Sequence, residues 1–291
     1  MTVKIVARES LTKGWSTDRK FKVQLDDGRF CLLRIAEQTA IEVKEVEFQL
    51  VKSLFGQGLP VAEPISFWTD DQLVHTLYEW IEGMDLRDCA AGLTSGQLYD
   101  YGYQAGQILK ELHQLPLPPQ ENSWEEIYQA KIDRKLQAYT DCSLSYEGGQ
   151  AMIDFVAQHR HLVAERPMTY QHGDFHSGNM LLGKDGRLYL IDFDRHDIGD
   201  PWEEFNRLVW TVQTAPDLAR GMVDGYFSNQ VPDEFWTLLA LYIAVNSLGS
   251  LPWAVEQNAK EVAIMQTQAQ QILAWYNCFQ TIYPSWYQSK K

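Results

Sequence analysis

The chain of 291 residues is poor in positive charge: 25 lysines and arginines stand against 39 aspartates and glutamates, a formal net charge of −14. A surface of that sign repels phosphate backbones, so nucleic acid is not expected as a partner. Cysteine is scarce as well. Cys31, Cys89, Cys142 and Cys278 show no metal or redox spacing, which argues against a disulfide framework or a cysteine zinc site and suits a reducing compartment. The opening residues hold no apolar signal core, and a cytoplasmic setting is expected. No Gly-x-Gly-x-x-Gly occurs, so the glycine-rich nucleotide loop is absent in its usual form. Repeats, low-complexity tracts and long linkers are also missing. One uncharged run, Phe235 to Val255, reaches twenty-one residues, but Thr237, Asn246, Ser247, Gly249, Ser250 and Pro252 interrupt it. Its apolar core, Leu238 to Val245, is too short to span a bilayer comfortably, so a buried helix is expected there and no membrane partner.

What the chain does have is His172-Gly173-Asp174-Phe175-His176-Ser177-Gly178-Asn179, followed by Ile191-Asp192-Phe193-Asp194. Met180-Leu181-Leu182 and Leu188-Tyr189-Leu190-Ile191 are apolar runs, and Gly183-Lys184-Asp185-Gly186 between them is turn chemistry. Pairing Leu182 with Arg187 puts Asn179 opposite Leu190, with Asp192 two residues further on the same face. A carboxamide and a carboxylate so placed can share one hard cation, and magnesium is usually held by one or two carboxylates together with substrate phosphates. Asp174 lies in a glycine-containing loop that can aim it at a substrate hydroxyl. Taken singly, each of these residues is as well explained as a cap or turn former. The four-residue spacing of His172 and His176 suggests zinc, but the intervening glycine opposes a helix and no third ligand is evident.

The segment resembles the catalytic region of the aminoglycoside phosphotransferase and choline kinase family, small-molecule kinases with a protein-kinase-like fold. The pattern His-Gly-Asp-x-His-x-x-Asn, then Ile-Asp-Phe, then Gly199-Asp200-Pro201, is all present. The resemblance implies Asp174 as the catalytic carboxylate and Asn179 and Asp192 as magnesium ligands. It implies an α+β, bilobal protein-kinase-like fold, with a small N-terminal antiparallel-sheet lobe (residues 1–82, nucleotide-binding) and a larger, mainly helical lobe (residues 83–291, catalytic and acceptor-binding). Leu77-Tyr78-Glu79-Trp80-Ile81-Glu82-Gly83 resembles the hinge, where the Glu79 carbonyl and the Ile81 amide would meet adenine. Residues 97–115, ending in Leu112-His113, resemble the family's long helix.

Lys4 to Ala7, Phe21 to Leu25 and Phe30 to Ile35 read as strands, with Asp26-Asp27-Gly28 a hairpin turn. Glu42 to Leu54 has helical periodicity, and Val43, Val46, Leu50, Val51 and Leu54 make its apolar face. The phosphate-facing cation expected on the third strand is Arg34, where the family commonly has Lys. Its helix partner is Glu47, with Glu45 the alternative. The phosphate loop falls on Leu11 to Thr17, with Gly14 and Ser16 as contacts.

The larger lobe reads as helices over Trp124–Tyr139, Tyr146–Val163, Trp202–Gln213, Pro216–Phe227, Phe235–Leu248 and Glu256–Ile282. It also carries most of the negative charge, with 15 basic against 26 acidic residues in 84–291, which favours a cationic acceptor. Asp194, Asp197 and Glu203 are the acceptor-binding candidates, Trp124, Trp202, Trp253 and Trp275 possible walls of that site, and Glu204 a structural contact at a helix start. The expected activity is transfer of the γ-phosphoryl group of ATP or GTP, with Mg2+, to a hydroxyl of a small molecule such as an aminoglycoside or related antibiotic. The alternatives are a metabolite kinase acting on choline, a sugar or an amino alcohol, and a regulatory pseudokinase. The protein is expected as a monomer or homodimer.

Overall fold

The computed structural model describes residues 4–12, 18–70 and 72–287. By contacts the described chain forms two units: residues up to Ala91 group with Ser177–His196, and Gly92–His176 group with the residues from Asp197 onward. The division falls at 91/92 rather than at 82/83. The cause is a short strand, β6 (Gly83–Asp85), which pairs antiparallel with β8 (Met180–Gly183), placing Met84 opposite Leu182. That ladder carries the first unit past the expected hinge.

In the first unit, β1 (Ile5–Leu11), β2 (Arg19–Leu25), β3 (Phe30–Glu37), β4 (Pro64–Thr69) and β5 (Leu73–Glu79) form an antiparallel sheet in the order β1-β2-β3-β5-β4. Strand alternation sends Cys31, Leu33 and Ile35 to one face, where they join Val23, Leu25 and Leu77 in a core. Arg34 therefore belongs to the other face. There α1 (Ile41–Gly56) packs, with the Phe48 ring 5.7 Å from those of Phe67 and Tyr78. The buried face of α1 is not the one its apolar periodicity indicates. Val43 and Val46 are more than half exposed, while Lys44 and Glu47 are buried with Phe48, Leu50, Val51 and Leu54. Charge pairing with Arg34 outweighs the exposure of two valines. A short helix, α2 (Leu86–Cys89), follows β6, and β8 and β9 (Leu188–Leu190) complete a three-stranded sheet.

In the second unit, α3 (Ser95–Leu112) and α4 (Trp124–Asp141) each start from a capping box, Thr94 with Gln97 and Ser123 with Glu126. Next come α5 (Gly149–His159), β7 (Thr169–Gln171), β10 (Asp197–Gly199), α6 (Leu208–Val212), α7 (Pro216–Phe227), α8 (Asp233–Gln257) and α9 (Ala259–Trp275). β7 and β10 pair antiparallel. Helices α3 and α7 cross very closely. A Cβ at Gly102, Gly106, Gly221 or Gly225 would overlap the backbone of the facing helix, so both helices need their glycine pair four residues apart. α8 runs longer than expected and keeps Pro252 inside it; it ends where Asn258 turns extended and caps α9 by accepting from Glu261 N–H at 3.0 Å. By length and composition α8 is long and apolar enough to cross a membrane, but 67% of its most apolar window is buried within the protein. The segment expected as a helix from Trp202 begins instead as a 3-10 turn, Glu203–Arg207, and α5 ends in another, Arg160–Val163.

Candidate active site

The site residues fall on both units. Arg34, Glu47, Glu79, Ile81, Asn179, Asp192 and Asp194 belong to the first; Asp174, Asp197, Glu203 and Glu204 belong to the second. Gly14 and Ser16 lie outside the described residues.

In the first unit Arg34 is the centre of a buried ionic cluster. Its Nη1 donates to Glu47 Oε1 at 2.9 Å, and its Nη2 and Nε donate to Asp18 Oδ2 at 2.7 and 3.0 Å. Asp194 Oδ1 is 3.1 Å from Nη2, and Asp192 Oδ1 is 3.4 Å from Nη1. Lys44 joins from α1, with its Nζ 2.7 Å from Asp18 Oδ2, 3.3 Å from Glu47 Oε2, and in contact with Asp194 Oδ1. Burial works against both cations, but the facing carboxylates outweigh it, Glu47 foremost, and hold Arg34 and Lys44 above their ordinary pKa values. Asp194 is thus part of this cluster, where sequence reasoning placed it at the acceptor. Asp18 and Lys44 were missed; the one sequence signal for Lys44 is its place one turn before Glu47 on the helix.

The β8–β9 hairpin pairs Leu182 with Leu188 and Met180 with Leu190, and Ile191 N–H donates to Asn179 O at 3.1 Å. The register is one residue away from the expected one, because Gly183 N–H bonds Arg187 O at 2.9 Å and Arg187 becomes part of the turn. In a regular strand such a shift would send Asn179 and Asp192 to opposite faces. Asp192, just past β9, departs from the strand in a left-handed conformation, φ 65° and ψ 65°, a strained state that aspartate tolerates better than most residues. Its carboxylate meets Arg34 and, at 3.6 Å, Lys20 Nζ. The donor set fits magnesium. Asn179 and Asp192 offer hard oxygens at one end of one hairpin, and no group of three or more His, Cys, Asp or Glu among the described residues could hold a metal by itself. An ion held there would need further ligands from phosphate or water.

At the expected hinge, Glu79 N–H donates to Glu63 O at 2.8 Å and Trp80 N–H to Phe30 O at 3.2 Å, so the sheet ladder runs to residue 80 and Ile81 follows its exit.

In the second unit the Asp174 loop is held through its backbone. Glu204 is buried; its Oε2 accepts from His172 N–H at 2.6 Å and its Oε1 from Gly173 N–H at 3.0 Å. His113, the C-cap of α3, brings Nε2 to 4.0 Å from the same carboxylate, while its Nδ1 pairs with Tyr226 Oη at 2.9 Å. Gly173 adopts φ +77°, the turn that carries the chain from the two braced amides to Asp174. Asp174 N–H then donates to His172 Nδ1 at 3.3 Å. The carboxylate stands between the Arg207 guanidinium, Nε at 3.5 Å from Oδ1, and the His176 imidazole, Nε2 at 3.6 Å from Oδ2. Glu204 is not a dipole contact at a helix start, because the segment is a 3-10 turn and the carboxylate is spent on loop amides.

Asp200 is fully buried, bound by Arg166 Nε and Nη2 at 2.6 and 2.9 Å and by the Tyr242 hydroxyl, and it accepts from Trp202 N–H at 2.8 Å. Its role is to anchor the chain leading to Glu204. Glu203 is paired with Lys131 Nζ at 2.8 Å, and Asp197 is exposed, with Oδ1 bound to Ile198 N–H. Trp124 is buried against Tyr128 and Tyr242, and Trp202 packs under Arg166 and against Phe227 and Phe235. Both are packing residues.

A five-stranded antiparallel sheet with one covering helix, a largely helical second unit and an Asp loop followed by an Asn/Asp hairpin define a protein-kinase-like phosphotransferase. Residues 8–236 match the family model described as APH, the phosphotransferase enzyme family, and the chain belongs to that family. It is accordingly an enzyme transferring phosphoryl to an alcohol group. Among solved structures it is similar to aminoglycoside phosphotransferase APH(4)-Ia in a ternary complex with ADP and hygromycin B (18% identity, 93% of this chain and 94% of that one, TM-score 0.67). Also similar are the amicoumacin kinase hAmiN with AMP-PNP, Ca2+ and Ami (15%, 94% and 90%, 0.65) and spectinomycin phosphotransferase APH(9)-Ia with ADP and spectinomycin (17%, 96% and 91%, 0.63). No curated protein matches the chain.

Proposed function

We propose that this protein moves the γ-phosphoryl group of a nucleoside triphosphate, ATP by preference, to a hydroxyl of a small molecule in the cytoplasm. The observation that carries the reading is the brace of Glu204 on the His172 and Gly173 amides, because it fixes the one carboxylate that must meet the acceptor. Asp174 orients the acceptor hydroxyl and takes its proton as the new oxygen–phosphorus bond forms. The bond from the γ-phosphorus to the bridging oxygen breaks, and the nucleoside diphosphate leaves. Such a loose transition state needs positioning more than a strong base. Arg34 supplies fixed positive charge toward the phosphates, and Glu47 and Asp18 hold its fork in place. A magnesium ion held by Asn179 and Asp192 would offset the phosphate charge. ADP and AMP-PNP in the similar structures support an adenine nucleotide as donor. Hygromycin B, spectinomycin and amicoumacin are the first acceptors to try, with simple hydroxy acids and amino alcohols beside them.

The test is Asp174→Asn. Removing a positioned proton acceptor costs about 10²–10⁴-fold in turnover, while nucleotide affinity, followed by fluorescence titration, stays within a small factor of wild type. A variant that phosphorylates the same acceptor at the wild-type rate would remove Asp174 from the mechanism.

A further inference from the structure

The second unit gathers cations beside Asp174 that the transfer step does not use. Arg207 flanks the carboxylate, with Nε 3.5 Å from Oδ1. Lys131 and Lys135 lie one turn apart on α4. Lys131 Nζ pairs with Glu203 Oε1 at 2.8 Å, and Lys135 Nζ donates to the neutral Asn246 Oδ1 of α8 at 3.1 Å. The Lys135 stem lies so close to Gly249 of α8 that a Cβ there would overlap it, which fixes where its amine points. Among the described residues no carboxylate lies within ion-pair distance of Lys135. Arg207 is thus set against Asp174 and Lys131 against Glu203, whereas the hydrogen-bond partner of Lys135 is neutral. Lys135 registers this. Burial, and then the charges of Lys131, Arg207 and Arg134, with Glu203 opposing, bring its pKa down to about 7.

We propose that Arg207, Lys131 and Lys135 form an acceptor subsite for an anionic oxygen group, so that the alcohol phosphorylated by this protein carries a carboxylate or a phosphate. This rests on the reading of Asp174 as the group that receives the acceptor hydroxyl. An anion seated here would accept hydrogen bonds from Lys135 and Arg207 while its hydroxyl reaches Asp174. It would supply the negative charge that the partner of Lys135 lacks. Of the three carboxylates nominated from sequence to receive a cationic acceptor, two are already held by cations, Asp194 by Arg34 and Lys44 and Glu203 by Lys131, while Asp197 is exposed.

The test uses four probes on one carbon skeleton: glycerate, glycerol 3-phosphate, glycerol and 3-aminopropane-1,2-diol. The full-length protein is saturated with AMP-PNP and magnesium, and Lys135 is labelled at pH 7 with trinitrobenzenesulfonate, with the rate read by peptide mass spectrometry. A seated anion that raises the Lys135 pKa by about one unit cuts its neutral, reactive fraction roughly fivefold at pH 7. Glycerate or glycerol 3-phosphate should therefore slow labelling at least that much, and which of the two does so identifies carboxylate or phosphate. Glycerol and the amine should leave the rate unchanged. Equal protection by all four probes, protection by the amine alone, or none at all overturns the subsite. Arg207→Gln should abolish the protection, read against an unchanged melting temperature; protection that survives also overturns it. Magnesium-dependent nucleotide hydrolysis by the same preparation reports on the kinase reading separately. Hydrolysis without protection removes only the subsite, and protection without hydrolysis removes the kinase.

Discussion

Arg34 in the first unit and Asp174 in the second are both charged groups that this fold must hold still, and it holds them by opposite means. Arg34 is 5% exposed and fixed by side chains: Asp18, Glu47, Asp192 and Asp194 surround it, and Lys44 shares three of those partners. Asp174 has a side chain 21% exposed and is fixed through the backbone, by Glu204 bound to the amides of the two residues before it. A sequestered charge has to be neutralised where it lies, or desolvation would expel it. A reacting carboxylate has to stay reachable, so its geometry is set from the main chain and its oxygens face the solvent side. The first arrangement spends its carboxylates on cations. The second spends a carboxylate on amides and leaves cations over.

The ionic cluster breaks most severely. Glu47→Ala removes the first partner of Arg34 inside the first unit and one partner of Lys44, and leaves Asp18, Asp192 and Asp194 to hold the two cations. Breaking a buried pair from one side costs about 3–5 kcal/mol. Denaturant melts of the variant should show that loss, and Mg2+-dependent nucleotide binding should weaken with it as Asp192 is drawn further onto Arg34. A loss under about 1 kcal/mol, the value of an exposed pair, would show that Asp18 and Asp194 carry the guanidinium unaided.

The backbone brace comes next. Glu204→Ala leaves the amides of His172 and Gly173 without their acceptor, about 1–3 kcal/mol for each buried group. The diagnostic readout is kinetic. Loss of position should lower kcat by at least an order of magnitude while nucleotide affinity stays as it was, because the first unit is untouched. Glu204→Gln retains one acceptor oxygen and should recover part of the rate. If Glu204→Ala changes stability but leaves kcat alone, the brace is architecture and does not aim Asp174.

The contrast between the two regions also explains what the sequence could show. Residues acting within a short stretch were legible: the glycine-containing Asp174 loop, and the α7 helix, whose start at Pro216 and stop before the left-handed Ser228 match the expected bounds. The Arg34–Glu47 pair was legible because strand and helix each have one suitable residue. The buried face of α1 was not. Periodicity ranks Val43 and Val46 above Lys44, and nothing local reveals that Asp18 and Asp194 come from elsewhere to neutralise a lysine. The hairpin register slipped by one because it depends on the Gly183–Arg187 bond, and no local pattern announced the left-handed Asp192. Glu204 was visible as an acid but not as a partner of loop amides 32 and 31 residues upstream.

The smallest effect tests the leftover cation itself. Folded Lys135 titrates at about 7, whereas in the unfolded chain a lysine titrates near 10.4. Between those values the unfolded state binds the extra proton, so stability rises with pH through that window. Below pH 7 the protein carries the full penalty of a charged Lys135; toward pH 10 the penalty fades. Lys135→Met keeps the apolar stem beside Gly249 and removes the charge. It should raise the melting temperature at pH 7 by roughly 2–4 °C, the shift expected for about 1 kcal/mol in a protein of this size, and the gain should shrink to nothing by pH 10. A gain that is constant across that range would mean that the methionine merely packs better. No gain at any pH would mean that Lys135 is already neutralised, and the second unit would then balance its charges as the first one does.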